Sequence, residues 1–98
     1  MISRILEPKS VESRATVFSA MGDPTRVRIL DAVADGELCV CDLQEVVDVA
    51  PNLLSYHLKV LRDADLIEGT RRGRWIDYAT TPQAAGLIAA ALPKGLQR

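Results

Sequence analysis

The chain has 98 residues, of which 48% are hydrophobic and only 4% aromatic, and its formal net charge is −1. This length suits one domain rather than two, and small domains of this kind often gain apolar contact by oligomerising. No apolar run reaches the roughly 18 residues that a membrane span needs, and no secretion signal opens the chain, so a cytoplasmic location is expected.

The charges are distributed unevenly along the chain, although they nearly cancel in total. Residues 31–48 contain six acids and no Lys or Arg. A basic group follows within sixteen positions, namely Lys59, Arg62, Arg71, Arg72 and Arg74. The acidic balance argues against nonspecific binding of nucleic acid, but the asymmetry indicates that one edge of the domain faces phosphate.

Two helices are predicted in the first third of the chain. The first covers residues 10–21 and ends at Gly22, and its apolar side chains recur at spacings of three and four: Val11, Ala15, Phe18 and Met21. Asp23 caps a second helix with Pro24 at its first position, which is a strong start signal. The apolar face of this helix is predicted from Val27, Ile29, Leu30 and Val33.

The middle of the chain predicts two further helices that are joined by a tight connection. A short extended piece at residues 37–39 leads into a third helix over residues 40–47, with Leu43, Val46 and Val47 as its buried face. Residues 48–50 form the connection. Pro51 then opens a fourth helix that reaches about residue 64.

The last third predicts a β-hairpin followed by a helix. Residues 66–70 and 75–80 read as strands, and the Arg-Arg-Gly-Arg segment at 71–74 is the loop between them. Residues 82–92 are rich in Ala and Leu and are expected to be helical. The predicted fold is a single domain over residues 1–98, mainly α with a small β-hairpin: a winged helix-turn-helix. Residues 37–80 form the helix-turn-helix and wing, and residues 1–22 and 81–98 supply helices for dimerisation.

The fourth helix has one apolar face and one polar face. Its packed face is predicted from Leu53, Leu54, His57, Leu58 and Leu61, which makes His57 a structural residue rather than a ligand. Trp75 and Tyr78 on the last strand are likewise expected to cover core. The predicted DNA-binding residues are Asn52, Ser55, Tyr56, Lys59 and Arg62 on the helix and Arg71, Arg72 and Arg74 on the wing. The alternative for this helix face is simple solvation.

Both cysteines of the chain stand in the segment ELCVCDL, residues 37–43. Cys39 and Cys41 straddle the predicted strand-to-helix junction, so the local backbone decides whether their sulfurs converge. A helix N-terminus is expected to lower the pKa of a thiol and to favour the thiolate that soft ions require. Two thiolates are too few for tetrahedral zinc, but they suit trivalent arsenic or antimony, Cd(II) or Cu(I).

Several alternatives to a metal site remain open from the residues alone. The two thiols could be small buried hydrophobes, or a redox switch that works through an intermolecular bridge or a sulfenic acid. The domain could also be a winged-helix interaction module that binds no DNA. An enzyme is not predicted, because no acid–base pair accompanies a nucleophile and no glycine-rich phosphate loop is present. No permanent cofactor is expected.

Five motifs occur in an order and at spacings similar to those of the ArsR/SmtB family of bacterial metal-responsive repressors. They are DPTR at 23–26, IL at 29–30, ELCVCDL at 37–43, SYHLKVLR at 55–62 and RGRWIDY at 72–78. The resemblance implies a homodimeric repressor that binds a palindromic operator in double-stranded DNA and releases it when a metal or metalloid binds.

The segment ELCVCDL, residues 37–43, narrows the effector that the resemblance implies. ELCVCDL is similar to the box of arsenic repressors, in which the two cysteines bind As(III) or Sb(III) and a third cysteine often lies nearby. Gln44 stands where that third thiolate is expected. Residues 81–92 contain no acid, His or Cys, so the zinc and cobalt site of other members is absent from the last helix. Cys39 and Cys41 are therefore expected to carry the metal response, with As(III) or Sb(III) as the leading effector.

Overall fold

The computed structural model describes residues 10–97, so the parts of the predicted domain at residues 1–9 and 98 lie outside it. Five helices and three strands of these residues surround one core. The helices are α1 (Val11–Met21), α2 (Pro24–Ala34), α3 (Val40–Val46), α4 (Pro51–Asp63) and α5 (Ala84–Ala91); the strands are β1 (Leu38–Cys39), β2 (Ile67–Arg72) and β3 (Trp75–Thr80). A single 3-10 turn, Lys94–Leu96, follows α5.

The helix starts follow the local chemistry that the sequence indicates. The Ser10 hydroxyl accepts a hydrogen bond from the Ser13 N–H at the start of α1. The Asp23 carboxylate accepts from the N–H groups of Thr25 and Arg26, at 2.8 and 3.2 Å, and Pro24 occupies the first position of α2. These caps satisfy N–H groups that a helix cannot satisfy by itself, which fixes where each helix begins.

The three strands form one antiparallel sheet in the order β1-β3-β2. β2 continues to Arg72, two residues beyond its predicted end, so the hairpin turn contains only Gly73 and Arg74, with Gly73 at φ 65°. The extended piece before α3 pairs with β3, and Cys39 lies opposite Asp77. The sequence predicts that this piece is extended but does not reveal its partner.

The core lies between the helices and the sheet. Its largest fully buried side chains are Ile29, Val33, Leu43, Leu54, Leu61, Leu66 and Ile67. The arrangement of α3, a short turn, α4 and the β2–β3 hairpin is a winged helix-turn-helix, as predicted. Among residues 10–97, no helix is both long and apolar enough to cross a membrane.

The apolar side chains that the spacing selects on α1 do not mark the side of the helix that packs inward. Val17 and Ala20 face the core, whereas Val11 and Phe18 are exposed. The reason is that α1 carries apolar residues on two sides, and spacing alone does not show which side packs inward. Val27 and Val46, also predicted to be buried, are exposed as well.

The first and last helices lie against each other. The Arg14 guanidinium on α1 donates hydrogen bonds to the carbonyl oxygens of Ala91 and Leu92, at 3.4 and 3.3 Å, at the end of α5. These bonds satisfy carbonyls that the end of a helix leaves free. The two helices that the sequence predicts to mediate dimerisation are therefore hydrogen-bonded to each other within one chain.

Candidate nucleic-acid interface and thiol site

The outward face of α4 carries polar side chains on exposed surface. Asn52, Ser55, Tyr56, Lys59 and Arg62 are all exposed. Lys59 pairs with Asp63 one turn later at 2.7 Å, but both side chains are more than half exposed, so the pair contributes little to stability. The amino group of Lys59 therefore exchanges partners at low cost, and this helix face remains open to a ligand.

Leu53 does not lie on the packed face, which corrects the prediction. Its side chain is 42% exposed, whereas Leu54, Leu58 and Leu61 are buried. Leu53 projects from the edge of the buried stripe, about 90° around the helix from its centre, so spacing alone does not place it. The first turn of α4 consequently shows an apolar side chain next to Asn52.

His57 is a structural residue, as predicted. It is buried, and its Nδ1 lies 2.9 Å from a guanidinium nitrogen of Arg26. Because Arg26 is a permanent donor, His57 Nδ1 is the acceptor, and its other ring nitrogen carries the proton. Arg26 also donates to the carbonyl oxygens of Ala20 and Ser19, at 2.6 and 3.2 Å. One guanidinium thus ties the end of α1 and the start of α2 to the middle of α4.

The wing presents three arginines in two different states. Arg72 forms a bidentate ion pair with Asp77, with Nε–Oδ2 at 2.6 Å and Nη2–Oδ1 at 3.1 Å. Arg71 donates only to the carbonyl oxygen of Gly73, at 3.3 Å, and Arg74 forms no ion pair within residues 10–97. Arg71 and Arg74 are therefore the wing cations whose charge is not neutralised by the protein.

The Arg72–Asp77 pair lies on the outer face of the sheet. Hydrogen bonds from Arg72 lower the pKa of the Asp77 carboxyl, and Asp77 in turn raises the pKa of Arg72. Charge interactions with Cys39 and Glu37 act on the pKa of Arg72 in the same direction, although more weakly than Asp77.

Trp75 and Tyr78, both predicted to cover core, differ in the structure. Tyr78 is buried, and its hydroxyl accepts a long 3.5 Å hydrogen bond from Arg62. Trp75 is 47% exposed, because it begins β3 beside the turn and lies on the outer face of the sheet opposite Arg72. The prediction is confirmed for Tyr78 and wrong for Trp75.

Cys39 and Cys41 belong to two different elements. Cys39 ends β1 and is the N-cap residue of α3, and Cys41 lies in the first turn of α3. Cys39 is half-buried, and Cys41 is exposed. The Cys39 thiol donates to the Asp42 carboxylate at 3.4 Å. An ion held by both sulfurs would therefore connect the strand that pairs with the wing to the first helix of the helix-turn-helix.

The ionisation of Cys41 differs from the sequence-based expectation. Partial desolvation, followed by the charge of Cys39 and a hydrogen bond with it, raises the pKa of the Cys41 thiol, and Asp42 adds to the effect. A backbone hydrogen bond at the helix start acts in the opposite direction but is the weakest of these causes. Desolvation, Cys39 and Asp42 together therefore outweigh the backbone hydrogen bond at the start of α3, and Cys41 is a protonated thiol near neutral pH.

Gln44 has a structural role at the position where a third thiolate was considered. Its side-chain amide donates a hydrogen bond to the carbonyl oxygen of Val49, in the turn between α3 and α4. Within residues 10–97, no three His, Cys, Asp or Glu side chains form a group that could hold a metal ion. The monomer thus offers a dithiol pair and no third protein ligand in this part of the chain.

The fold and these exposed side chains define a winged helix-turn-helix domain. Residues 23–68 match the family model described as "Bacterial regulatory protein, arsR family". The chain is 44% identical over 77 residues to the arsenical resistance operon repressor of Bacillus subtilis, which covers 76% of this chain and 73% of the relative. The chain therefore belongs to the ArsR family.

Two further comparisons agree with this assignment. The chain is 36% identical over 75 residues to a transcriptional repressor SmtB homolog of Synechocystis, which covers 76% of this chain but only 57% of the relative, less than two thirds of its length. The solution structure of a homodimeric winged helix-turn-helix DNA-binding domain from Mycobacterium bovis superposes with a TM-score of 0.71 at 28% identity, covering 80% of this chain and 73% of the other. These matched proteins are transcriptional regulators rather than enzymes.

Proposed function

We propose that this protein is a homodimeric transcriptional repressor that leaves its operator when As(III) or Sb(III) binds to Cys39 and Cys41. The observation that carries the proposal is the position of the two thiols at the junction of β1 and α3. The similarity to an arsenical resistance operon repressor supports the choice of effector. The proposed partner is a palindromic operator in double-stranded DNA.

The proposed DNA surface consists of the exposed face of α4 and the wing. On α4, Asn52, Ser55 and Tyr56 are base-reading side chains, since amides and hydroxyls pair with base edges. Lys59 and Arg62 are proposed to contact phosphates. On the wing, Arg71 and Arg74 carry most of the electrostatic attraction. Arg72 is proposed to contribute less, because Asp77 already neutralises it.

Dimerisation is proposed to occur through α1 and α5. Val11 and Phe18 lie seven positions apart on the exposed side of α1. The same helix packs on α5. A small domain with exposed apolar side chains on a terminal helix gains stability when a second copy covers them. Two copies related by twofold symmetry present two copies of α4, which explains the expectation of a palindromic operator.

The raised pKa of the Cys41 thiol favours arsenic or antimony over the other ions. Arsenous acid condenses with a thiol so that an As–S bond replaces an As–OH bond, and the thiol proton leaves with the hydroxyl as water. Two such steps at Cys39 and Cys41 yield a dithiolate with one remaining hydroxyl, without net change of charge or oxidation state. Cd(II) and Cu(I) instead require ionised thiolates, which the raised pKa of Cys41 disfavours. The same raised pKa disfavours a thiol redox switch.

Release from DNA follows from the two elements that the effector would connect. Drawing both sulfurs onto one arsenic atom constrains Cys39 in β1 and the first turn of α3 together. The Gln44 bond to Val49 links α3 to the turn before α4, so a shift of α3 would reach α4 through a continuous set of contacts. A tilt of α4 would spoil the spacing of the two half-sites. A tenfold loss of operator affinity needs only about 1.4 kcal/mol of differential binding.

The test is a titration of the DNA complex with sodium arsenite. The duplex is recovered from a random-sequence pool by repeated rounds of binding to the reduced wild-type protein, and affinity is followed by fluorescence anisotropy. We expect arsenite to weaken binding at least tenfold for wild type and to have no effect on Cys39→Ser or Cys41→Ser. The matched control Glu45→Gln changes an exposed side chain of α3 and should keep both DNA binding and the arsenite response. Undiminished wild-type affinity in excess arsenite would overturn the proposal.

A further inference from the structure

Leu53 is an apolar side chain at the part of α4 that lies nearest to bases in a helix-turn-helix. The N-terminal residues of such a recognition helix contact base edges in the major groove. Leu53 is in the first turn of α4, is 42% exposed and is not among the apolar side chains packed against the core. In this turn Pro51 and Leu53 are apolar, and Asn52 is polar.

The neighbours of Leu53 distinguish it from an ordinary surface leucine, which needs no ligand. Asn52 precedes it, and Tyr56 lies three positions later, on the adjoining surface of the helix. Both are exposed and belong to the proposed base-reading surface. Leu53 therefore places an apolar side chain at the edge of that polar surface. Base edges in the major groove present donors, acceptors and a single kind of methyl group, the 5-methyl of thymine.

We infer that Leu53 is a specificity-determining residue that packs against a thymine 5-methyl group in each operator half-site. The inference rests on the proposed DNA binding but not on the thiol chemistry of Cys39 and Cys41. Removing one buried methyl costs about fourfold in affinity, because about 0.8 kcal/mol per such group converts at about 1.4 kcal/mol per factor of ten. A symmetric pair of sites in a dimer complex should thus cost about sixteenfold.

The experiment combines a protein variant with a methyl deletion in the DNA. In the selected duplex, deoxyuridine replaces thymine at one symmetric pair of positions at a time, which removes the methyl and keeps the base pair. We expect one pair in the α4 footprint to weaken wild-type binding about sixteenfold. Leu53→Ala should bind the thymine and deoxyuridine duplexes with equal affinity at that pair. Leu53→Met, which keeps an apolar side chain of similar size, should restore the difference.

Val27→Ala is the matched control, because Val27 is 40% exposed but lies on α2. It should keep the full sensitivity to the methyl group. The inference would be overturned if Leu53→Ala weakened binding to the thymine and deoxyuridine duplexes by the same factor. The ratio of the two affinities would then be the same as for wild type. A wild-type protein that is insensitive to every thymine methyl would also overturn the inference. If wild type selects no duplex from the pool, both this inference and the proposed function fail.

Discussion

Removing the Arg72–Asp77 pair from the wing should leave the salt dependence of DNA binding almost unchanged, whereas removing Arg74 should lower it. Each phosphate contact adds about 0.9 to the slope of log affinity against log salt. Arg74 on two wings of a dimer should therefore account for about 1.8 units. Over a fourfold range of salt, that slope corresponds to a factor of about twelve in affinity.

The variants are Arg74→Ala and the double variant Arg72→Ala with Asp77→Ala. The double variant removes the two charges of one ion pair together, so the net charge of the wing is preserved. Arg72→Ala alone would expose the carboxylate of Asp77 to the DNA and would add repulsion to the loss of a cation. The assay is fluorescence anisotropy of a labelled duplex from about 50 to 200 mM salt, the range over which phosphate contacts dominate the slope.

A loss of slope in the double variant equal to that of Arg74→Ala would refute this reasoning. It would mean that Arg72 leaves Asp77 and contacts phosphate in the complex. The opposite result would assign Arg72 to holding β2 against β3 through Asp77. Circular dichroism of each variant checks that the sheet is intact before affinities are compared.

Three further changes test the fold, its acid sensitivity and its assembly. Arg26→Ala leaves His57 and two helix-end carbonyls without their donor, so we expect a loss of about 3 kcal/mol in the free energy of unfolding and a melting temperature lower by at least about 12 °C. Asp77→Asn should lower stability at pH 7, and the difference from wild type should vanish in acid. The pKa of Asp77 is lowered in the folded state. The stability that its carboxylate contributes is therefore present above the unfolded pKa of 3.8 and is lost as the pH falls through the folded pKa. Phe18→Lys should yield monomers in light scattering and weaken operator binding.

Arg26→Ala and Phe18→Lys each have a control on the same element. Arg28→Ala on α2 and Thr16→Lys on α1 alter exposed side chains and should change stability and assembly little. A normal melting temperature for Arg26→Ala, an unaltered acid profile for Asp77→Asn, or intact dimers of Phe18→Lys would each contradict the corresponding contact.

The sequence predicts the order of elements because their boundaries depend on local chemistry. Asp23 with Pro24, and Pro51 after the tight turn, indicate the starts of α2 and α4 at the residues where the structure has them. The burial of His57 also follows from local spacing, since it lies one turn from Leu54 and Leu61. Local signals of this kind act within a few residues and need no knowledge of the tertiary structure.

The features that the sequence does not reveal depend on contacts between distant residues. The pairing of Cys39 with Asp77 joins segments 38 positions apart, and the Arg72–Asp77 pair follows from a hairpin register two residues longer than predicted. Val11 and Phe18 are exposed because α1 packs with its other side. These outcomes are set by tertiary packing and not by helix propensity or spacing.

The coordination of arsenic in the arsenite-treated protein tests the central claim most directly. X-ray absorption at the arsenic edge reports the number and type of atoms bound to the metalloid. The account predicts one arsenic per protomer with two sulfur ligands and one oxygen, and no bound arsenic in Cys39→Ser or Cys41→Ser after removal of excess arsenite. Retention of arsenic by either variant, or wild-type arsenic without two sulfur ligands, would contradict the assignment of the response to Cys39 and Cys41.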